Sequence, residues 1–318
     1  MTLPVVDLSR FRDGDLDDKR AVARETDQIC RDIGFLSVTG HNVPEPVTAE
    51  LYARAKAFFH QNPAEKLKVR QPSRDLVRGY IGFAEGALAA TRGDETPPDL
   101  KESYTMGPDE PGRGAPNIWP SGNTAFKAAW LAYFAEMDRL GREMMRLFAM
   151  ALDLDAGHFE NAFRRHSSIL SAIYYPDQPE APADGQLRAG AHTDFGTLTI
   201  LRSDDAPGGL QVMTAAGEWL PARREPGSLI INIGDMLARW TNDRWVSTLH
   251  RVVNPPRDAV SGTERLSIGF FYQPDDDCVV ECLPSCVFAG GQALYPPVTA
   301  GDYIASRFRS QIVASKEG

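Results

Sequence analysis

The sequence predicts a mixed α+β fold in which helices support an antiparallel β-sandwich or barrel. Three observations predict it: helical apolar spacing interleaved with short strand-like runs in the first third, one long apolar-striped helix in the middle, and a change after Ser167 to short strands separated by turns. Val5-Val6-Asp7-Leu8 reads as a short strand, and Ala21 to Ile33 carries apolar residues at helical spacing. Gly34-Phe35-Leu36-Ser37-Val38-Thr39-Gly40 reads as a strand bounded by glycines, and Val47 to Phe59 as an amphipathic helix stopped near Asn62-Pro63. Residues 78–116, rich in Gly, Pro and charge, form the kind of irregular stretch that serves as a lid or binding wall.

Phe126, Trp130, Tyr133, Phe134, Met137, Leu140, Met144, Leu147 and Leu152 mark the long helix, whose stripe is expected in the core. Strands are expected at Ile169 to Tyr175, Leu198 to Leu201, Leu210 to Met213, Leu229 to Ile233, Val246 to Val253 and Leu266 to Tyr272. Pro207-Gly208-Gly209 and Glu225-Pro226-Gly227 punctuate them as turns. The expected organisation is a single domain over 1–318: a supporting region 1–120, a helical region 121–166, a β-rich core 167–290 and a helical tail 291–318.

Composition narrows the class. With 42% hydrophobic and 24% charged residues, the 318-residue chain can bury a large core. Its net charge of -9 works against binding phosphate backbones, so nucleic acid is not an expected partner. No apolar run approaches the roughly 18 residues that span a bilayer, and charge follows Met1 too early for a signal peptide; a cytoplasmic chain without membrane contact is expected. A monomer is the expected state, with a homo-oligomer left open. Cys278, Cys282 and Cys286 recur at intervals of four but lack paired zinc knuckles, and Pro284 interrupts any helix that would align them; they read as small apolar residues.

The chemistry lies in His192-Thr193-Asp194, His250 and Arg265-Leu266-Ser267. Residues two apart on a strand share a face, so His192 and Asp194 can serve one ion, with His250 on a distant strand as third donor. Two His and one carboxylate on one octahedral face suit non-haem Fe(II), leaving positions for an organic acid and dioxygen. By the same alternation Arg265 and Ser267 offer a guanidinium fork and a hydroxyl suited to a carboxylate. Taken alone, H-x-D is common by chance and Arg265 reads as a surface arginine in an ion pair. Asp235 and Asp243 follow turn-like residues and are expected to bond local backbone rather than metal.

In order and spacing the chain resembles the isopenicillin N synthase-like branch of the Fe(II)/2-oxoglutarate-dependent oxygenases. The resemblance runs from Pro4-Val5-Val6-Asp7-Leu8 and Gly34-Phe35 through Arg78-Gly79-Tyr80, Lys101-Glu102, Asn117-Ile118-Trp119-Pro120 and Tyr174-Tyr175-Pro176. It continues through Ala191-His192-Thr193-Asp194, Gly208-Gly209-Leu210-Gln211-Val212, Asn232-Ile233-Gly234-Asp235, Trp240-Thr241-Asn242, Ser247 to Val252 and Arg265-Leu266-Ser267. It implies a double-stranded β-helix (jelly-roll) core, with His192, Asp194 and His250 as iron ligands. It also implies Arg265 and Ser267 on the far carboxylate of 2-oxoglutarate, with the Tyr175 hydroxyl added. Ile173 stands where many plant members carry Asn, so that contact is not expected. The long stretch from His250 to Arg265 contains Arg257 as a rival clamp, but Ala259 offers no hydroxyl two residues on.

The implied activity is oxidation, foremost hydroxylation, of a small-molecule metabolite or natural-product intermediate, using dioxygen and releasing succinate and CO2. An aspartate as third ligand argues against a halogenase. Two alternatives remain: an iron-dependent oxidase that does not use 2-oxoglutarate, and a non-catalytic jelly-roll module holding a structural ion, for which zinc would want four closed ligands. Substrate-wall candidates are Arg78, Tyr80, Phe83, Glu85, Lys101 and Tyr104, with Phe195 and Phe271 beside the metal and clamp strands.

Overall fold

The computed structural model describes residues 2–73, 76–110, 113–259, 261–287 and 291–314, with side chains to residue 307. Residues 111–112 of the expected lid, 260 and 288–290 of the β-rich core and 315–318 of the tail lie outside the described residues. β1 (Val5–Asp7) ends where Asp7 accepts the Ser9 amide and caps α1 (Leu8–Asp13), so Leu8 opens a helix rather than extending the strand. α2 (Leu16–Asp32) starts earlier than its apolar spacing suggests, because Asp15 accepts the amides of Asp17 and Asp18. β2 (Phe35–Thr39) and α3 (Glu45–Phe59) follow. Asn62-Pro63, expected only as a stop, also begins α4 (Pro63–Leu67): Asn62 accepts the Ala64 amide and Pro63 sits in the first turn.

The 78–116 stretch is less irregular than its composition suggests. β3 (Gly79–Ile81) and β4 (Glu102–Met106) pair within it, flanking a 3-10 turn at Leu88–Arg92. α5 (Thr124–Ala151), capped by Asn123, is the long central helix. Then come β5 (Ile169–Tyr175), β6 (Ala189–His192), β7 (Leu198–Ser203), β8 (Gly209–Met213), β9 (Trp219–Pro221), β10 (Leu229–Ile233) and α6 (Asp235–Trp240). β11 (His250–Val253), β12 (Arg265–Tyr272), β13 (Val279–Val280), β14 (Val298–Thr299) and α7 (Ala300–Ala314) complete the chain. β11 is shorter than the expected 246–253 run, since the Ser247 and Thr248 hydroxyls bond Asp235 and the Ile33 carbonyl instead.

One sheet has the order β1-β2-β10-β7-β12-β5-β4-β3, and a second has β6-β11-β8-β9. β5 to β12 thus divide between two facing sheets as a jelly roll, which β1 to β4 extend at both edges of the larger one. Alternation sorts the larger sheet's side chains. Leu266, Ile268, Phe270 and Tyr272 of β12 join the core with Trp130, Met137, Leu140 and Met144 of α5. Each large apolar side chain so buried contributes about 1.5–3 kcal/mol. The opposite set on β12, Arg265, Ser267 and Phe271, faces the space between the sheets.

Candidate functional site

Between the sheets lies a cavity of about 330 Å³, within the range of small-molecule sites. His192 and His250 are register partners where β6 meets β11, with ring centroids 4.3 Å apart. Contrary to the expectation of a shared strand face, β6 ends at His192 and Asp194 lies in the loop beyond it. That loop is tied down: the Asp235 and Met236 amides, in the first turn of α6, donate to the Asp194 and Gly196 carbonyls at 2.7 and 3.1 Å. Gly234 permits the approach, since a Cβ there would meet the Gly196 carbonyl oxygen at 2.2 Å.

The three side chains aim at one point. Nε2 of His192 and of His250 lie 4.0 and 3.8 Å from Asp194 Oδ1, and one donor atom from each residue falls within 4.8 Å of the others. Each Nδ1 faces a backbone carbonyl, Gly190 at 2.7 Å and Thr248 at 3.0 Å. A carbonyl only accepts, so Nδ1 carries the hydrogen and the Nε2 lone pair faces the centre. Burial and the neighbouring His250 push the His192 pKa well below its ordinary value, keeping it in the neutral, ligating form. Asp194 Oδ2 accepts from Thr199 Oγ1 at 2.6 Å and Asn232 Nδ2 at 2.7 Å, leaving Oδ1 toward the histidines. Burial raises the Asp194 pKa, but the two histidines and these two donors outweigh it and hold the carboxyl ionised. Two imidazoles and one monodentate carboxylate fit a hard-to-borderline divalent ion with open positions.

At the other end, Arg265 is 7% exposed, and its side-chain bonds go to a carbonyl and a hydroxyl rather than to a carboxylate of any described residue. Its Nη1 donates to the Ala206 carbonyl at 2.9 Å and its Nη2 to Ser203 Oγ at 2.7 Å, which fixes the fork while leaving donors for the cavity. Gly209, at φ +123°, lets the guanidinium lie against backbone: a Cβ there would sit 3.3 Å from Arg265 Cζ. Tyr175 is the register partner of Arg265, and Ile173 of Ser267. Tyr175 and Ser267 both line the cavity, and burial raises the Tyr175 pKa, so its hydroxyl stays protonated and can donate. Behind Tyr175, fully buried Arg188 donates to the carbonyls of Pro176, Pro207 and Thr263 and lies 5.8 Å over the tyrosine ring. Arg257 instead bonds the Glu180 carbonyl at the surface.

Of the eight substrate-wall candidates, Lys101, Phe195 and Phe271 line the cavity. Tyr80 and Tyr104 are paired across β3 and β4 and face the helices: Tyr80 donates to Glu102, and Tyr104 packs on Phe58, Phe126 and Trp130. Their neighbours Ile81, Ser103 and Thr105 line the cavity instead. Arg78 is folded against Gly107 and the Val77 carbonyl, Phe83 is 47% exposed, and Glu85 pairs with Arg70 at the surface. Lys101 pairs at 3.0 Å with buried Asp99, whose oxygens also accept the Gly190 and Leu88 amides. Asp235 and Asp243 do not bond local backbone through their side chains: Asp235 accepts from Thr193, Ser247 and Arg307, and Asp243 from the Tyr295 hydroxyl.

Sequence reasoning missed Thr199, Asn232, Asp99 and Arg188. Asn232 left one signal, as the polar residue inside the otherwise apolar Leu229–Ile233 run.

Comparison with known proteins agrees with this geometry. The family model for the 2OG-Fe(II) oxygenase superfamily matches residues 166–274, and that for the non-haem dioxygenase in morphine synthesis N-terminal region matches residues 3–122. A 2-oxoglutarate-Fe(II) type oxidoreductase, hxnY, of Emericella nidulans is 32% identical over 96% of this chain and 89% of its own. Validamycin A dioxygenase of Streptomyces hygroscopicus subsp. limoneus is 30% identical over 96% and 86%. Among solved structures, a full-length Neurospora crassa protein in complex with alpha-KG and thymine superposes with a TM-score of 0.86 at 30% identity, covering 97% of this chain and 96% of that one. The donor cluster, the jelly roll that presents it and likeness along nearly the whole chain lead to one conclusion: this protein belongs to the 2OG-Fe(II) oxygenase superfamily and is a 2-oxoglutarate- and Fe(II)-dependent oxidoreductase.

Proposed function

We propose that His192 Nε2, His250 Nε2 and Asp194 Oδ1 hold Fe(II), and that Arg265, Ser267 and Tyr175 grip the far carboxylate of 2-oxoglutarate. Convergence of the three donors at one end of a cavity whose other end carries a buried guanidinium with no carboxylate partner among the described residues supports this most strongly. When bound, iron with 2-oxoglutarate and dioxygen supplies the oxidising chemistry and releases succinate and CO2. The chain's residues orient and exclude. Gly190 and Thr248 carbonyls fix the imidazoles, Asn232 and Thr199 fix the carboxylate, and Phe195, Phe271, Ile169 and Leu88 wall the reaction from water.

The substrate is a small molecule, and Lys101, Phe195 and Phe271 are its proposed contacts. Lys101 has donors beyond the one it gives Asp99, which suits a substrate with an acceptor oxygen. The isopenicillin N synthase-like branch, a single catalytic domain, a monomer and a cytoplasmic setting complete the proposal. The net charge of -9 supports excluding nucleic acid, and no described helix is long and apolar enough to cross a membrane. The test is a metabolite screen reading succinate release together with oxygen uptake. A compound that raises both above the rate with 2-oxoglutarate alone is expected; 2-oxoglutarate left unconsumed with every small molecule, by iron-loaded protein, overturns the proposal.

A further inference from the structure

Asp235 sits outside the donor cluster yet touches both arms that lead into it. Its Oδ2 accepts from Thr193 Oγ1 at 3.2 Å, between His192 and Asp194 in sequence, and its Oδ1 accepts from Ser247 Oγ at 2.7 Å, on the approach to His250. The same residue begins α6, whose amides hold the Asp194 and Gly196 carbonyls. Arg307 of α7 places a guanidinium 2.8 Å from the Asp235 carboxylate. The Arg307 guanidinium also lies 5.1 Å from the centre of the Phe195 ring, which follows Asp194 and lines the cavity.

α7 is held against this corner by more than Arg307. Arg239 of α6 lies 5.8 Å over the Tyr303 ring of α7 and 4.8 Å over Tyr295. α7 packs in turn against the 3-10 turn Leu88–Arg92, whose Leu88 and Thr91 line the cavity and whose Leu88 amide is held by Asp99. One arginine near the end of the chain therefore touches the outer support of the metal loop and an aromatic wall residue, on a helix that covers the cavity's rim.

We infer that Arg307 is a positioning residue: through Asp235 and Phe195 it couples docking of the C-terminal helix to the geometry of the 192–196 loop. The inference rests on the proposed iron site for its affinity readout, but its structural readout does not. An exposed ion pair alone would contribute little. Here the guanidinium fixes a carboxylate that bonds hydroxyls beside the ligands, one step outside the partners whose loss weakens metal sites by about 10–100-fold.

The test compares wild type, Arg307→Ala, Arg307→Lys and Phe195→Leu as the full chain. Hydrogen exchange of the metal-free protein reads the Asp235 and Met236 amides, which bond the loop carbonyls, and anaerobic competition with a chelator reads Fe(II) affinity. Arg307→Ala is expected to speed exchange at those two amides and weaken Fe(II) binding by about tenfold, the lower edge of the outer-shell range. Arg307→Lys, which keeps the charge near Asp235 and Phe195, restores most of both. Phe195→Leu changes the cavity wall and leaves the Asp235 arm, so its amides stay protected. If Arg307→Ala loosens residues 300–307 while the α6 amides and Fe(II) affinity stay as in wild type, α7 docking is only structural and the inference fails. Wild-type protein that binds no Fe(II) sinks the proposed iron site instead, and the exchange arm still decides the coupling.

Discussion

Replacing Arg265 by Leu removes the one guanidinium among the described residues that line the cavity, and the structure sets the size of the effect. Arg265 is 7% exposed and pinned by the Ala206 carbonyl and Ser203 hydroxyl, so its fork is preorganised before any ligand arrives. Removing one partner of a buried, hydrogen-bonded charge pair costs about 2–5 kcal/mol. At about 1.4 kcal/mol per tenfold, 2-oxoglutarate affinity falls by roughly 30-fold to a few thousand-fold. Arg265→Lys keeps a point charge but loses the fork, and a loss of about tenfold is expected. The assay is anaerobic titration of iron-loaded protein with 2-oxoglutarate, following the visible charge-transfer band. A dissociation constant for Arg265→Leu within about threefold of wild type, with Fe(II) affinity intact, would refute the reasoning, because about 0.7 kcal/mol is too small for a buried charge contact.

Three further outcomes follow from the same geometry. Asn232→Leu strips one of the two donors from Asp194 Oδ2, and Fe(II) affinity measured against a chelator should drop by about 10–100-fold while thermal unfolding still shows a cooperative transition. Lys101→Met should lower kcat/KM for the substrate found by the screen and leave the 2-oxoglutarate titration unchanged, since Lys101 pairs with Asp99 and makes none of the bonds that hold Arg265; equal loss in both would reassign it. Asp177 accepts the amides of Thr263 and Glu264 at 2.6 and 2.8 Å, just ahead of Arg265. Burial raises its pKa, but these amides, the Gly262 amide and the Thr263 hydroxyl together outweigh it and depress it. A depressed folded pKa gives stability that is present above the ordinary carboxylate value of about 3.9 and lost as pH falls through the folded value. The stability gap between wild type and Asp177→Asn in urea should therefore be clear at neutral pH and shrink below about pH 4.

Periodicity made much of the fold legible. The α5 stripe and the 169–175 and 229–233 strands needed only the local pattern, because each buries one continuous face. Phase was what the 78–116 stretch concealed. Tyr80 and Tyr104 draw attention as ligand contacts, yet in a sheet covered by helices on one side the large rings go to that side and Ser103 and Thr105 face the cavity. The sequence could pair His192 with Asp194 by spacing, but not show that β6 stops between them and that α6 amides do the positioning. Arg265 and Ser267 were readable because both lie within one regular strand. The contacts of Asn232 and Arg307 come from elements far apart in sequence, so no local pattern carries them.

The central claim is that His192, Asp194 and His250 hold iron with positions left for 2-oxoglutarate. Anaerobic absorption spectroscopy of wild type, His192→Ala, Asp194→Ala and His250→Ala, each given Fe(II) and then 2-oxoglutarate, tests it most directly. A weak visible charge-transfer band that saturates with equimolar 2-oxoglutarate in wild type and is lost in all three variants is the predicted result. No band in wild type, or an unaltered band in any variant, would contradict the assignment.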